Sequence, residues 1–240
     1  MTKLRLQKII ANAGICSRRK AELLLAQNRV MINGETAKVG DKADPEVDKI
    51  FIDKCPLISK LEVIIYLLNK PVGVVSTCSD THGRATVLDL LPLHLRKGLH
   101  PVGRLDFKSR GAILITNYGK LTMHLTHPRY SHEKTYNVWV KGIPSETTLE
   151  KWRHGVILDS KITLRASIEI LKSKNNQSLL KIVLKEGRNR QIRRIAEQLG
   201  HPVIDLQRTA IGRLKLNNLK EGNWRRIKLS EFNLIEDSSI

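Results

Sequence analysis

The chain has 240 residues and a mass of 27.3 kDa, enough to bury a substantial core in one large domain or in a domain with a small partner. With 42 Lys and Arg against 23 Asp and Glu it carries a net charge of +19, and 41% of its residues are hydrophobic, so the charge belongs to a folded protein rather than a disordered basic tail. No apolar run reaches the roughly 18 residues of a membrane span, the N-terminus lacks the apolar segment of a secretion signal, and the three cysteines form no CxxC pair, so a reduced cytoplasmic protein with a polyanionic partner and no metal site is expected.

Residues 1–54 read as a compact module. Leu4, Leu6, Ile9, Ile10 and Ala13 recur at helical spacing until Gly14 interrupts them. Ser17 is placed to cap a second helix, Arg18–Gln27, with Ala21, Leu24 and Leu25 on one face. A strand at 30–32 leads into Asn33-Gly34, a strong hairpin signal because both residues tolerate positive φ. Thr36 to Val39 and Phe51-Ile52 read as further short strands. Residues 1–60 hold 12 Lys or Arg against 7 Asp or Glu, a net of +5, with the bases in the helices and the acids crowded between Asp41 and Asp53. A basic helical face is expected on one side.

Residues 55–60, around Pro56, read as the linker, and 61–240 as a larger domain with a net charge of +14. Val63 to Leu68 is a buried-type strand, followed by a turn at Asn69–Gly73. Gly111 to Thr116 is a second apolar strand, and Lys120 to Thr126 a helix that ends before His127-Pro128. Thr135 to Val140 alternates as a strand, as does 180–184, where Leu180, Ile182 and Leu184 share a face. Ile192, Ile195, Ala196 and Leu199 form a helical stripe over 190–199, for which Asn189 is the expected cap and Gly200 the stop. The whole is expected to be α+β: a helix–helix–hairpin module, then a largely antiparallel mixed sheet flanked by helices and loops.

Three segments suggest chemistry. In Gly103-Arg104-Leu105-Asp106 an extended backbone would turn Leu105 inward and leave Arg104 and Asp106 on one outer face, just before the strand that opens at Gly111. In Glu186-Gly187-Arg188-Asn189-Arg190-Gln191-Ile192-Arg193-Arg194, four arginines crowd a helix start, where the macrodipole disfavours cations unless an anion is bound. Glu133-Lys134-Thr135-Tyr136 opens a strand with a tyrosine that composition alone would assign to packing.

Taken in order, Lys70-Pro71, Gly103-Arg104-Leu105-Asp106, Lys134-Thr135-Tyr136 and Arg190-Gln191-Ile192-Arg193-Arg194, behind a small basic module, resemble the RsuA-type bacterial ribosomal RNA pseudouridine synthases across essentially the whole chain. Arg110 and Tyr118 depart from the pattern, where a small residue and an acid are usual. The resemblance implies an alpha-L-type RNA-binding module and a cofactor-free isomerisation of uridine to pseudouridine in ribosomal RNA, with a slight preference for the large subunit. It implies that Asp106 is the catalytic carboxylate, that Arg193 pairs with it, that Tyr136 stacks on the target base, and that Arg104 fills the gap left when that base is extruded. Contacts to RNA are expected from Lys70, Arg188, Arg190 and Arg194, and in the first module from Arg5, Lys8, Arg18, Arg19 and Lys20. Arg208, Arg213, Lys215, Arg225, Arg226 and Lys228 are expected to add non-specific grip on the surface. A monomer is expected. The competing class is a non-catalytic RNA chaperone or ribosome-assembly factor that keeps the fold; the joint presence of Asp106, Tyr136 and Arg193 favours the enzyme.

Overall fold

The computed structural model describes residues 3–57 and 62–232. The first module has its own core, in which Leu6, Ile9, Ile10, Ala21, Leu24 and Leu25 of two helices pack on Val30, Ala37, Ala43 and Ile50. The helices are α1 (Leu6–Asn12) and α2 (Arg18–Ala26), and the Ser17 hydroxyl caps α2 by accepting from the Lys20 N–H at 3.2 Å. α1 is shorter than its apolar pattern, because Leu4–Arg5 is extended and pairs with Lys42–Ala43. Val30–Ile32 pairs with Glu35–Thr36 across the Asn33-Gly34 turn, and both turn residues have positive φ. That second strand stops at Thr36 and does not run to Val39, which is exposed.

The linker expected at 55–60 is corrected at its start. Cys55–Pro56 forms a strand on Ile50–Ile52, and Leu57 packs against the core of the first module. Residues 58–60, with Leu61 at the start of the second domain, lie outside the described residues, as do 233–240 at its end.

The second domain is built on a nine-stranded sheet. Numbered within that sheet, its strands are β1 (Ile65–Lys70), β2 (His100–Val102), β3 (Arg110–Thr116), β4 (Lys134–Lys141), β5 (Ser167–Lys174), β6 (Gln177–Leu184), β7 (Val203–Ile211), β8 (Leu214–Lys215) and β9 (Trp224–Arg226). The order is β5-β6-β4-β7-β3-β1-β9, with β8 on β7 and β2 on β3. Every pairing is antiparallel except β7 on β3. β1 starts at Ile65, two residues later than its pattern, since Val63 is exposed, and it takes in Asn69 and Lys70, which were expected in a turn.

The sheet is covered on both faces, which explains the unbroken apolar runs in β1 and β3. Tyr66, Leu68, Ile113 and Ile115 face one core with α4 (Glu146–His154) and α5 (Gln191–Gln198), through Leu149, Trp152, Ile192 and Ile195. Ile65, Leu67, Ala112 and Leu114 face a second core with α3 (Gly119–Thr126), through Leu121 and Leu125. Among the described residues no helix is long and apolar enough to cross a membrane.

Candidate active site

A cavity of about 510 Å³ opens where five segments converge: the loop between β2 and β3, the end of α3 with the loop that follows it, the start of β4, the loop that leads into α5, and β7. Arg104, Asp106, Tyr136, Arg188, Arg190 and Arg193 all line it. Three segments separated by about 30 and 50 residues of sequence are thus brought to one hollow. Leu105 is buried, Arg104 is exposed and Asp106 is half-buried, as an extended backbone requires.

The Asp106 loop is held from several sides. The Ser76 hydroxyl donates to the Leu105 carbonyl at 2.9 Å and accepts from the Leu105 N–H at 3.1 Å. The Gly73 N–H donates to the Phe107 carbonyl at 2.9 Å, and the Ser109 N–H closes a turn onto the Asp106 carbonyl at 3.0 Å. Arg193 Nη2 donates to the Lys108 carbonyl at 2.7 Å and to the Ser109 hydroxyl at 3.1 Å. These hydrogen bonds restrain the backbone on either side of the carboxylate, so its position is set before any ligand arrives.

Several expected roles are corrected. Lys70 is not a surface cation: it is fully buried, and its Nζ donates to the carbonyls of Pro71 at 2.7 Å and Ser109 at 2.8 Å, so no phosphate can reach it. Burial pushes its ammonium down to about 8, with Asp106 and Glu221 pulling the other way. Arg193 makes no direct ion pair with Asp106; it binds the loop backbone, and the two charges are coupled through space. Burial and the neighbouring Arg190 push its guanidinium below the usual value.

Arg188 is spent on the protein, donating to the Glu186 carboxylate and to the carbonyls of Leu158, Lys161 and Ile162. Arg194 makes a two-pronged ion pair with Asp159, at 2.6 and 2.9 Å. Arg190, by contrast, is exposed at the mouth of the cavity. It is also the residue that begins α5, in a left-handed conformation with φ 48°, so Asn189 is not the cap. No side chain caps the helix; Gln191, its first residue, instead ties down the preceding loop, accepting from the Arg188 N–H at 3.1 Å and donating to Glu186 at 2.7 Å.

Arg208, expected on the surface, is 4% exposed and sits in the cavity wall. Gly111 makes this possible. At φ +113° its missing Cβ would lie 2.2 Å from the Arg208 carbonyl oxygen, so only glycine lets β3 and β7 meet there. Arg110, the departure from the family pattern, is held by Asp205 at 2.7 Å and Glu221 at 2.6 Å and stays outside this chemistry. Arg225 and Arg226 pair with Glu231 and Glu62.

Sequence reasoning missed Ser76 and His132, and it quoted Lys134 in the tyrosine motif without giving it a role. Lys134 lines the cavity, donates to the His132 carbonyl at 3.0 Å, and is held below its usual value by burial and by Arg208. His132 is pushed down by burial and by the neighbouring His124 and Lys134.

In the first module a second hollow, about 440 Å³, is lined by Lys3, Arg5, Lys8, Arg18 and Lys42. Arg19 and Lys20 are exposed beside it. Among the described residues no three His, Cys, Asp or Glu gather as a metal-binding group.

Residues 64–198 match the family described as RNA pseudouridylate synthase, and residues 4–48 match the S4 domain. The chain belongs to the RNA pseudouridylate synthase family. Among curated members it is 38% identical to ribosomal large subunit pseudouridine synthase B of Bacillus subtilis, over 93% of this chain and 91% of that protein. It is 35% identical to the dual-specificity RNA pseudouridine synthase RluF of Escherichia coli, over 99% of this chain and 81% of that one. A crystal structure of a pseudouridylate synthase shares 30% identity and superposes with a TM-score of 0.69, covering 96% of this chain and 98% of that chain. The S4 match falls on the first module, and the synthase match falls within the part that carries the nine-stranded sheet.

Proposed function

We propose that this protein isomerises a uridine of ribosomal RNA to pseudouridine, with large-subunit RNA as the substrate. The observation that carries the reading is one cavity in which Asp106 and Tyr136 stand together on backbone restrained from several sides, below the exposed Arg104 and Arg190. The names of the Bacillus subtilis and Escherichia coli relatives support the substrate class, the first of them specifying the large subunit.

In this reading the target nucleotide leaves its stack and enters the cavity. Extrusion costs a few kcal/mol, which phosphate binding by the basic surface offsets. Arg104, at the mouth, takes the vacated place in the RNA. Asp106 acts at the sugar, by adding to C1′ or by removing a sugar proton, while Tyr136 packs on the base. The C1′–N1 bond breaks, the ring turns, a C1′–C5 bond forms, the C5 hydrogen passes to water and N1 gains a proton. A single chain working in the cytoplasm suffices for these steps.

The test is tritium release from 5-tritiated uridine in ribosomal RNA transcripts. Asp106→Asn is expected to release none while its RNA affinity stays within about twofold, because phosphate binding supplies most of that affinity. Equal release by both proteins removes Asp106 from the chemistry. Absence of release from every ribosomal RNA tried would leave a binding protein that keeps the fold. Sequencing pseudouridines in ribosomal RNA from cells lacking the protein then locates the uridine.

A further inference from the structure

Arg208 is a buried charge that the fold leaves only partly satisfied. It is 4% exposed, and its Nε donates to the Ala112 carbonyl at 2.7 Å, yet its buried Nη2 has no hydrogen-bond partner. Among the described residues neither Arg208 nor the neighbouring Lys134 makes an ion pair, although both line the cavity. A buried guanidinium nitrogen without an acceptor, beside a second cation, is unfavourable unless a ligand supplies the acceptor. The depressed proton affinity of Lys134, set by burial and by Arg208, reports the same uncompensated positive field.

We propose that Arg208 Nη2 binds a carbonyl oxygen of the target uracil and stabilises the charge that gathers on the ring as it detaches. The proposal rests on the reading of the cavity as a uridine site. Position favours the base over a phosphate. Phosphates stay with the RNA strand at the mouth, where the exposed Arg104 and Arg190 stand, whereas Arg208 lies in the buried wall. Its cross-strand partner is Tyr136, so the two side chains share one face of the sheet and one cavity. When the C1′–N1 bond breaks, its electron pair remains on the ring, spread over N1 and the two carbonyl oxygens. C5 later returns a pair to C1′ and loses its proton to water. A cation fixed at a carbonyl oxygen gains attraction as that charge grows, which lowers the barrier without an added cofactor.

The experiment measures single-turnover rates on a short transcript carrying the mapped uridine, its 2-thiouridine form or its 4-thiouridine form, sulfur being a weaker acceptor than oxygen. Arg208→Gln is expected to lower kcat by about 100-fold, the scale of removing one oxyanion donor, with KM within about threefold, as for an interaction made in the transition state. One thio substitution should slow the native protein by about tenfold and leave Arg208→Gln no slower than it already is, since each change removes the same hydrogen bond. Arg208→Lys, which keeps the charge, should recover part of kcat. If neither thio form slows the native protein, the proposal fails, and this arm needs no variant to fold. Additive losses in Arg208→Gln also overturn it, as does an unchanged kcat with a shallower salt dependence of binding, which would assign Arg208 to a phosphate. Native protein that releases no tritium from any transcript refutes the uridine reading itself, a result separate from these.

Discussion

Lys70 and Ser76 lie beneath the Asp106 loop and hold it by opposite means: a hydroxyl serves both the N–H and the carbonyl of Leu105, and an ammonium reaches the Ser109 carbonyl from inside the protein. Burying that ammonium favours its neutral form, which ties stability to pH. Below about 8 the lysine is protonated in both folded and unfolded chains, and the folded state carries the full desolvation cost. Between about 8 and the ordinary value of 10.5 the unfolded lysine binds more proton than the folded one, so this group makes stability rise with pH across that window. In chemical denaturation the native protein is expected to gain stability relative to Lys70→Met from pH 8 to 10.5. Parallel pH profiles for the two proteins would show that Lys70 titrates as it does in water.

At the level of elements, the one parallel pairing of the sheet decides the geometry of the cavity wall. β7 reaches β3 only through Gln207 opposite Arg110 and Arg208 opposite Gly111, and Gly111 has no side chain to hold the strands apart. Gly111→Ala would place a methyl 2.2 Å from one backbone atom of Arg208 and 2.6 Å from another, at a φ that alanine rarely adopts. A destabilisation of about 3 kcal/mol or more is expected in thermal or denaturant unfolding. An alanine variant as stable as the native protein would mean that the strands separate there at no cost. This pairing also explains why β7 was not legible: its inward positions run Leu206, Arg208, Ala210, and a buried arginine breaks the apolar alternation by which strands are read. α4 escaped notice for a similar reason, since only Leu149 and Trp152 of its nine residues are buried, although Ser145 caps it. By contrast α2, α3, β1, β3, β4 and β6 were legible from apolar spacing, within a few residues at their ends.

Over the whole molecule, the charge of +19 sorts into groups that the protein already uses and groups that it leaves to a partner. Arg29, Arg96, Arg110, Arg153, Arg188 and Arg194 are each tied to carboxylates, while Arg5, Lys8 and Arg18 line the hollow of the S4 module and stay out of any ion pair among the described residues. Changing these last three to alanine together should reduce the slope of log affinity against log salt by about 2, near 0.7 to 0.9 for each phosphate no longer neutralised. Turnover at saturating RNA should be unchanged, because the cavity lies in the other domain. An unaltered slope in a salt titration would take the first module out of RNA binding.

The sequence by itself determined the strands and helices with a regular apolar period and the four motif segments, because periodicity and local turn chemistry are written in consecutive residues. It placed Leu105 inward and Asp106 outward, and it marked the arginines before α5. Which arginines remain free was decided only by tertiary structure, since the carbonyls that occupy Arg188, the acid that engages Arg194 and the Lys108 carbonyl that holds Arg193 come from other parts of the chain. The same holds for Lys70 and Arg208. Burial is a property of what packs around a residue, and a lysine before a proline or an arginine on a strand bears no local sign that the fold will close over it.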